Sequence, residues 1–465
     1  MKHAGTADPL LTAPIVPTLL RFALPNMVAM LATALAAIAE TAYVGRFGVA
    51  ALGGMALVFP IVMLQSMLSA GAMGGAVSSA VSRALGAGDR DRASALAVHA
   101  TWIAVSAGLA TSLLMLVFGR FLFAALGGRD EALAQALAYS NVAFVGALGP
   151  WLMNTFASVI RGSGNMAVPS ATYLAVSATQ VLIGGALGLG WGPLPRLGMA
   201  GVAAGQVIAF AGGALVLFAY LQRGHGRVAL ALTTTPFRPE LLGAILRVGA
   251  LACLSPLQTV LTILILTRLV ARFGTDALAG YGIGTRLEFL LVPLAFAIGV
   301  ASVPLVGMAI GAGHIARARR VAWAAALLAG LSLGLLGIAL AVAPDLWSRL
   351  FTDDARVLAA AASYFHWAGP CYGLFGFGLC LYFSSLAAGR VGGPVLAGTL
   401  RLAIVAVGGW LLASAAAPAW TIFALVAAAM AAYGVATWFV VWRDDWSPVV
   451  GRGGAPAPAA GVRSL

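Results

Sequence analysis

The chain has 465 residues, of which 61% are hydrophobic and only 9% charged, and its net charge is +13. So few charges exclude a surface covered by water, because soluble proteins carry about 25% charged residues. The 27 basic residues stand in short breaks between apolar segments, which excludes a nucleic-acid-binding face and follows the positive-inside pattern.

Apolar stretches of about 20 residues or more recur along the chain, long enough for helices to cross hydrocarbon. In chain order they predict helices over 18–45, 50–82, 93–118, 132–160, 167–190 and 198–221, then 241–272, 277–311, 317–343, 356–386, 393–414 and 418–442. The breaks carry glycine and charge, as in Gly86-Ala87-Gly88-Asp89-Arg90, Gly127-Gly128-Arg129-Asp130 and Gly311-Ala312-Gly313-His314. Residues 1–17 read as a cytoplasmic N-terminal tail, 18–221 as a first lobe, and 222–240 (with Arg223, His225, Arg227 and Arg238) as a cytoplasmic linker. A second lobe follows over 241–443, then a Pro/Gly/Ala-rich tail over 444–465 that composition marks as disordered. Pro25, Pro60, Pro150, Pro256, Pro293, Pro304 and Pro370 fall inside the predicted helices and are expected to kink them. Cys253, Cys371 and Cys380 lie in apolar segments and are expected as packing residues, with neither a disulfide nor a metal site.

The second half repeats the first. Residues 19–54 slid onto 245–280 at an offset of 226 give 13 identities in 36, including Arg46-Phe47-Gly48 on Arg272-Phe273-Gly274. Gly86-Ala87-Gly88 matches Gly311-Ala312-Gly313, and Gly164 and Pro169 match Gly389 and Pro394, at an offset of 225. The fold class expected is therefore an all-α integral membrane protein: twelve transmembrane helices in two six-helix bundles. Six is even, so both halves enter from one side and the pseudo-two-fold axis runs along the membrane normal. One side collects 18 basic residues, Arg83, Arg90, Arg317 and Arg401 among them, and the other collects 8. The richer side is expected to be cytoplasmic, with both termini on it.

Ionisable groups inside hydrocarbon are costly and need a reason. Glu40 stands six residues before Arg46, about 9 Å inside the outer boundary. No basic residue lies three or four positions away on its helix, and the repeat places Leu266 at its twin position. A lone carboxyl that exchanges a proton is what a proton-coupled step requires; the alternative is a structural acid held by a neighbouring helix. Glu288 and Arg286 lie on one helix two positions apart and so point to different faces. Each either lines a cavity or pairs at the interface with Asp276 or Arg272. Tyr43, one turn from Glu40, either hydrogen-bonds it or belongs to an aromatic belt. Gln65, Asn154, Gln180, Gln206, Gln258 and His366 are further candidates for lining a cavity, with interhelical hydrogen bonding as their alternative role. His99 reads as a packed polar residue. The five histidines are scattered, without metal-ligand spacing or a Ser/His/Asp set, so enzymatic activity is not expected.

Glu40-Thr41-Ala42-Tyr43-Val44-Gly45-Arg46-Phe47-Gly48 with Ala51-Leu52 is similar to the first-helix motif of the multidrug and toxic compound extrusion (MATE) transporters. Arg161-Gly162-Ser163-Gly164-Asn165 with Pro169 resembles that family's motif between helices 4 and 5, and Gly311-Ala312-Gly313 with Arg317-Ala318-Arg319-Arg320 its basic loop after helix 8. The resemblance spans about residues 17–443 and is closest to the DinF-like branch. It implies two bundles in a V around a central cavity in the inner membrane of a bacterium. It also implies export of amphiphilic, often cationic compounds against H+ or Na+, without a cofactor. The family's usual first-helix Asp is Glu40 here. The acids that some Na+-coupled members carry on helices 7 and 10 are replaced by Gln258 and His366, and Gln180 stands near the place of a fifth-helix acid. One carboxylate favours H+ over Na+, which generally wants several oxygen ligands. Glu40 is thus expected as the protonation site, with Glu288 as the second ion-coupling candidate. The expected partners are a small amphiphilic substrate and the lipid bilayer, with no nucleic acid, and the protein is expected to be a monomer. Na+ coupling, or flipping of a lipid-linked saccharide as in the same superfamily, stands as the alternative.

Overall fold

The computed structural model describes residues 9–224, 226–232, 235–415 and 417–446. Long helices follow one another in chain order. The first six are α1 Ile15–Gly45, α2 Val49–Gly86, α3 Arg90–Ala125, α4 (the pair Asp130–Val145 and Leu148–Gly162, bent by 49°), α5 Ala167–Leu189 and α6 Gly198–Gln222. They are followed by α7 Pro239–Ala271, α8 Thr275–Gly311, α9 Ile315–Val342, α10 Ala355–Ala387, α11 Gly392–Ser414 and α12 Ala419–Arg443. Twelve spans result when the bent pair counts as one. Helices α1–α6 and α7–α12 pack mainly among themselves, as two bundles.

Local chemistry sets the ends of these helices. Asp89 caps α3 by accepting from the Arg92 backbone N–H at 2.8 Å, and Asp354 caps α10 by accepting from that of Arg356 at 2.9 Å. The repeat is visible in the turns: Gly48 and Gly274, Gly88 and Gly313, and Gly164 and Gly389 all have positive φ, at offsets of 226, 225 and 225.

Four of the seven prolines lie within helices, namely Pro25, Pro60, Pro293 and Pro304. The other three stand at helix breaks rather than within unbroken helices, and at Pro150 the span bends by 49°, as a kink was expected to do. Pro150 and Pro256 fall in the first turn after the breaks at Gly146–Ala147 and Cys253, and Pro370 lies in a 3₁₀ turn over Gly369–Cys371. Proline is accommodated there because the first turn of a helix has no partner for that N–H. α2 widens into a π-helical segment over Met67–Met73, midway along its length.

The described part of the N-terminal segment is ordered, and α1 begins at Ile15 rather than at residue 18. Pro9–Thr12 forms a helical turn, and Arg317 donates to the backbone oxygens of Leu10 and Ala13 at 3.1 and 2.6 Å. At the other end Asp444 pairs with Arg390 at 2.6 Å and Trp446 is buried. These contacts hold residues 444–446, which composition had assigned to a disordered tail; 447–465 lie outside the described residues. In the linker, Leu230 and Val228 are buried, and the Arg238 N–H donates to His99 Nε2 at 2.8 Å. His225 of the linker lies outside the described residues.

The two bundles meet at the end where α2 and α8 finish, the basic end. Its backbones touch. A Cβ on Gly86 would lie 2.2 Å from the Met308 oxygen, one on Gly311 2.1 Å from the Arg83 oxygen, and one on Gly307 1.9 Å from Ser82 Oγ. Gly307 and Gly311 are four residues apart, the small-xxx-small spacing that lets membrane helices approach closely. Ser79 Oγ donates to the Leu386 and Ala387 oxygens at 2.8 and 3.0 Å, and Arg83 donates to the Ala387 oxygen at 2.6 Å. The lobes are thus closed on each other at this end.

Candidate functional site

Glu40 lies in the last two turns of α1 and is only 3% exposed. α1 and α5 run side by side and in the same direction, so Thr33 meets Ser177 at 3.5 Å and Tyr43 sits over Gly185. Between those contacts Gln180 Nε2 donates to Glu40 Oε1 at 2.7 Å. Gln180 is itself buried, and its backbone oxygen lies 3.1 Å from where a Cβ on Gly205 of α6 would stand. Among the described residues Glu40 has no ion-pair partner. A carboxylate taken out of water beside a neutral amide is costly unless hydrogen-bonded, and the amide supplies one bond.

The other candidates divide into groups. Gln206 of α6 accepts from Tyr139 of α4 at 2.8 Å, close to the Glu40 site. Tyr43 packs edge-on against Trp191 at 6.1 Å, in the manner of an interfacial aromatic. Asn154 is tied into the first lobe: its Nδ2 donates to Ser69 Oγ at 2.7 Å and its Oδ1 accepts from the Tyr173 hydroxyl. Ser69 in turn donates to the Gln65 backbone oxygen at 2.8 Å, so Asn154 braces the π-helical segment of α2. The Gln65 amide reaches only 3.5 Å from the Ala147 oxygen. Arg286 is exposed, with its guanidinium over the Phe351 ring at 5.1 Å, and His366 is exposed on α10.

Glu288 of α8 is half-buried and accepts a hydrogen bond from the Tyr364 hydroxyl of α10. The ring of Tyr364 reaches it because Gly284, one turn earlier on α8, leaves room. A Cβ there would lie 2.2 Å from the ring. Tyr281 and Phe423 hold that ring edge-on, each at 5.5 Å.

Between the lobes, near mid-membrane, a cavity of about 120 Å³ is lined by Met67 and Gly71 of the π-helical segment and, from the second lobe, by Gln258, Phe296, Phe375 and Arg401. Ligand pockets commonly measure 300–1,000 Å³, so a drug-sized compound requires the lobes to part further. Gln258 Nε2 donates to Thr399 Oγ1 at 2.8 Å, while its Oε1 is buried without a partner.

Arg401 was missed as a site residue, because its sequence position assigned it to the basic end. It is the tenth residue of α11, about 14 Å along that helix, and faces the cavity. Its guanidinium stacks on Phe375 at 4.9 Å, its Nε is buried without a partner, and no salt bridge reaches it among the described residues. An arginine at such depth costs about 2.5–3.5 kcal/mol on insertion scales, which marks it as functional by default. Counting residues from the start of the apolar segment would have found it. Tyr139 and Tyr364 were missed too. They stand at an offset of 225, both fully buried, and the repeat itself was the signal.

A family model described as MatE matches residues 25–185 and 252–411, that is, both halves of the chain. The chain is similar to a probable multidrug resistance protein NorM of Thermotoga maritima, 26% identical over 349 residues and covering 73% of each chain. It is also similar to an FAD transporter of Shewanella oneidensis, 27% identical over 377 residues, covering 79% of this chain and 81% of the other. Among solved structures, the outward-facing conformation of a multidrug resistance MATE family transporter superposes with a TM-score of 0.84. That match has 20% identity over 94% of this chain and 97% of that one.

Proposed function

Because the chain belongs to the MATE family of multidrug efflux transporters, we propose that it exports amphiphilic organic compounds in exchange for H+, with Glu40 as the protonation site. The observation that carries this reading is the buried contact between Glu40 and Gln180. A glutamine amide presents both an N–H and a C=O, so it can serve an ionised carboxylate as donor and a protonated one as acceptor. Proton uptake then exchanges one hydrogen bond for another at the contact of α1 with α5. A change there alters how the outer part of the first lobe packs, and so the fit between the lobes. H+ is preferred to Na+ in this reading because Glu40 is a lone carboxylate held by one amide, whereas Na+ generally wants several oxygen ligands.

The basic end is read as cytoplasmic and the membrane as the bacterial inner membrane. The contact of α2 with α8 is then the cytoplasmic gate, shut in this conformation, and the next half-cycle separates it. Glu288, held by Tyr364, is the second candidate for proton exchange, and Gln258 is one of the polar side chains of the central cavity.

The test is transport in proteoliposomes, with ethidium as a cationic dye and Lucifer yellow as an anionic one, under an imposed pH gradient and then an Na+ gradient. Efflux of at least one dye driven by the pH gradient, and lost in Glu40→Gln with folding intact, is the expected result. Efflux that follows only Na+, or that survives in Glu40→Gln, overturns the assignment.

A further inference from the structure

The central cavity carries one cation and no acid. Its lining includes Arg401, the hydroxyl-bearing Ser255, Thr259 and Thr262, and several aromatic rings, but neither Asp nor Glu. Glu288 stands within electrostatic reach of Arg401, but it accepts from Tyr364, does not line the cavity, and forms no salt bridge with that guanidinium. The guanidinium lies over the Phe375 ring at 4.9 Å, and its Nε is buried without a partner. Around it the rings form a stacking site. Phe375 and Tyr433 lie 5.7 Å apart at 41°, and Phe296 and Phe383 lie 4.8 Å apart at 82°.

A desolvated guanidinium facing a low-dielectric cavity repels an organic cation and attracts an anion, and its fork of donors matches a carboxylate, sulfonate or phosphate. Aromatic walls favour a planar ring beside that group. We infer that the cavity seats a planar aromatic compound bearing an acidic group, with Arg401 as the receptor for the anion. This rests on the reading of the cavity as the export route. Gln258 and the hydroxyls of Thr259 and Thr262 supply the remaining hydrogen bonds to polar edges of the ring.

The experiment is equilibrium binding to the purified full chain in a nonionic detergent, which needs neither a gradient nor Glu40. Its outcome is therefore independent of whether proton coupling holds. Two probes share one ring and differ in charge: naphthalene-1-sulfonate and 1-naphthyltrimethylammonium. The wild type is expected to prefer the sulfonate. Arg401→Gln should weaken the sulfonate by about tenfold or more while leaving the ammonium compound unchanged or tighter, and Arg401→Lys should recover part of the loss. Thermal unfolding of each variant checks the fold, and the wild-type preference stands as a test by itself if Arg401→Gln does not fold. Equal binding of the two probes, binding of neither, or a sulfonate affinity indifferent to Arg401→Gln overturns the inference. Displacement of the sulfonate by phosphatidylglycerol at one lipid per protein also overturns it, because the occupant is then a lipid headgroup.

Discussion

Gly311 provides the sharpest test of the gate between α2 and α8. In Gly311→Ala the new Cβ lies 2.1 Å from the backbone oxygen of Arg83 and 2.9 Å from the Ala87 nitrogen. Carbon–oxygen contacts settle at about 3.3 Å or more, so the helices must separate by about 1 Å. Neither neighbour can rotate away, because both are backbone atoms inside or capping a helix. Overpacking of this kind costs about 1–3 kcal/mol, and the cost falls only on the conformation in which the lobes touch. The ratio of closed to open basic end should therefore fall by about 5- to 150-fold. Electron–electron resonance between spin labels at Arg90→Cys and Arg320→Cys reads it out, since both sites are exposed on opposite lobes near that end. The native cysteines are replaced by serine in this background. Gly311→Ala should shift the distance distribution to a longer population. Gly282→Ala, on the same helix with nothing within 4 Å of its Cβ, should not. An unchanged distribution in Gly311→Ala, or an equal shift in Gly282→Ala, refutes the account of the gate.

Three other expectations follow from single contacts. Gln180→Leu removes the donor to Glu40 and should lower stability by about 1–3 kcal/mol in a thermal unfolding assay. The same change in a Glu40→Gln background should cost clearly less, and additive losses would show that the two side chains do not interact. Tyr364→Phe leaves the half-buried Glu288 without its donor and should cost a similar amount, partly restored by adding Glu288→Gln. His99→Ala removes the acceptor for the Arg238 N–H; hydrogen exchange in the peptide around Arg238 should quicken about fivefold, and protection equal to wild type would place the anchor of the linker elsewhere.

The sequence determined the twelve apolar segments, their duplication, the turns and the rare acid. These are properties of short stretches: hydrophobicity over one helix length, glycine where φ must be positive, and a carboxyl where hydrocarbon is expected. Glu40 stood out for that reason, and so did the paired turns at Gly88 and Gly313. Tertiary structure decided which residues share a site. Gln180 stands 140 positions from Glu40, and only the rotation of α5 about its axis turns it toward that acid and away from the cavity. The same kind of rotation turns Asn154 into a brace for α2 and Glu288 toward Tyr364. Arg401 shows the limit most plainly. Its charge suggested the basic end, but its height along α11 and the face it presents put it in the cavity. Composition records that a charge is present; helix depth and azimuth, fixed for α11 by packing against α7, α10 and α12, determine what it meets.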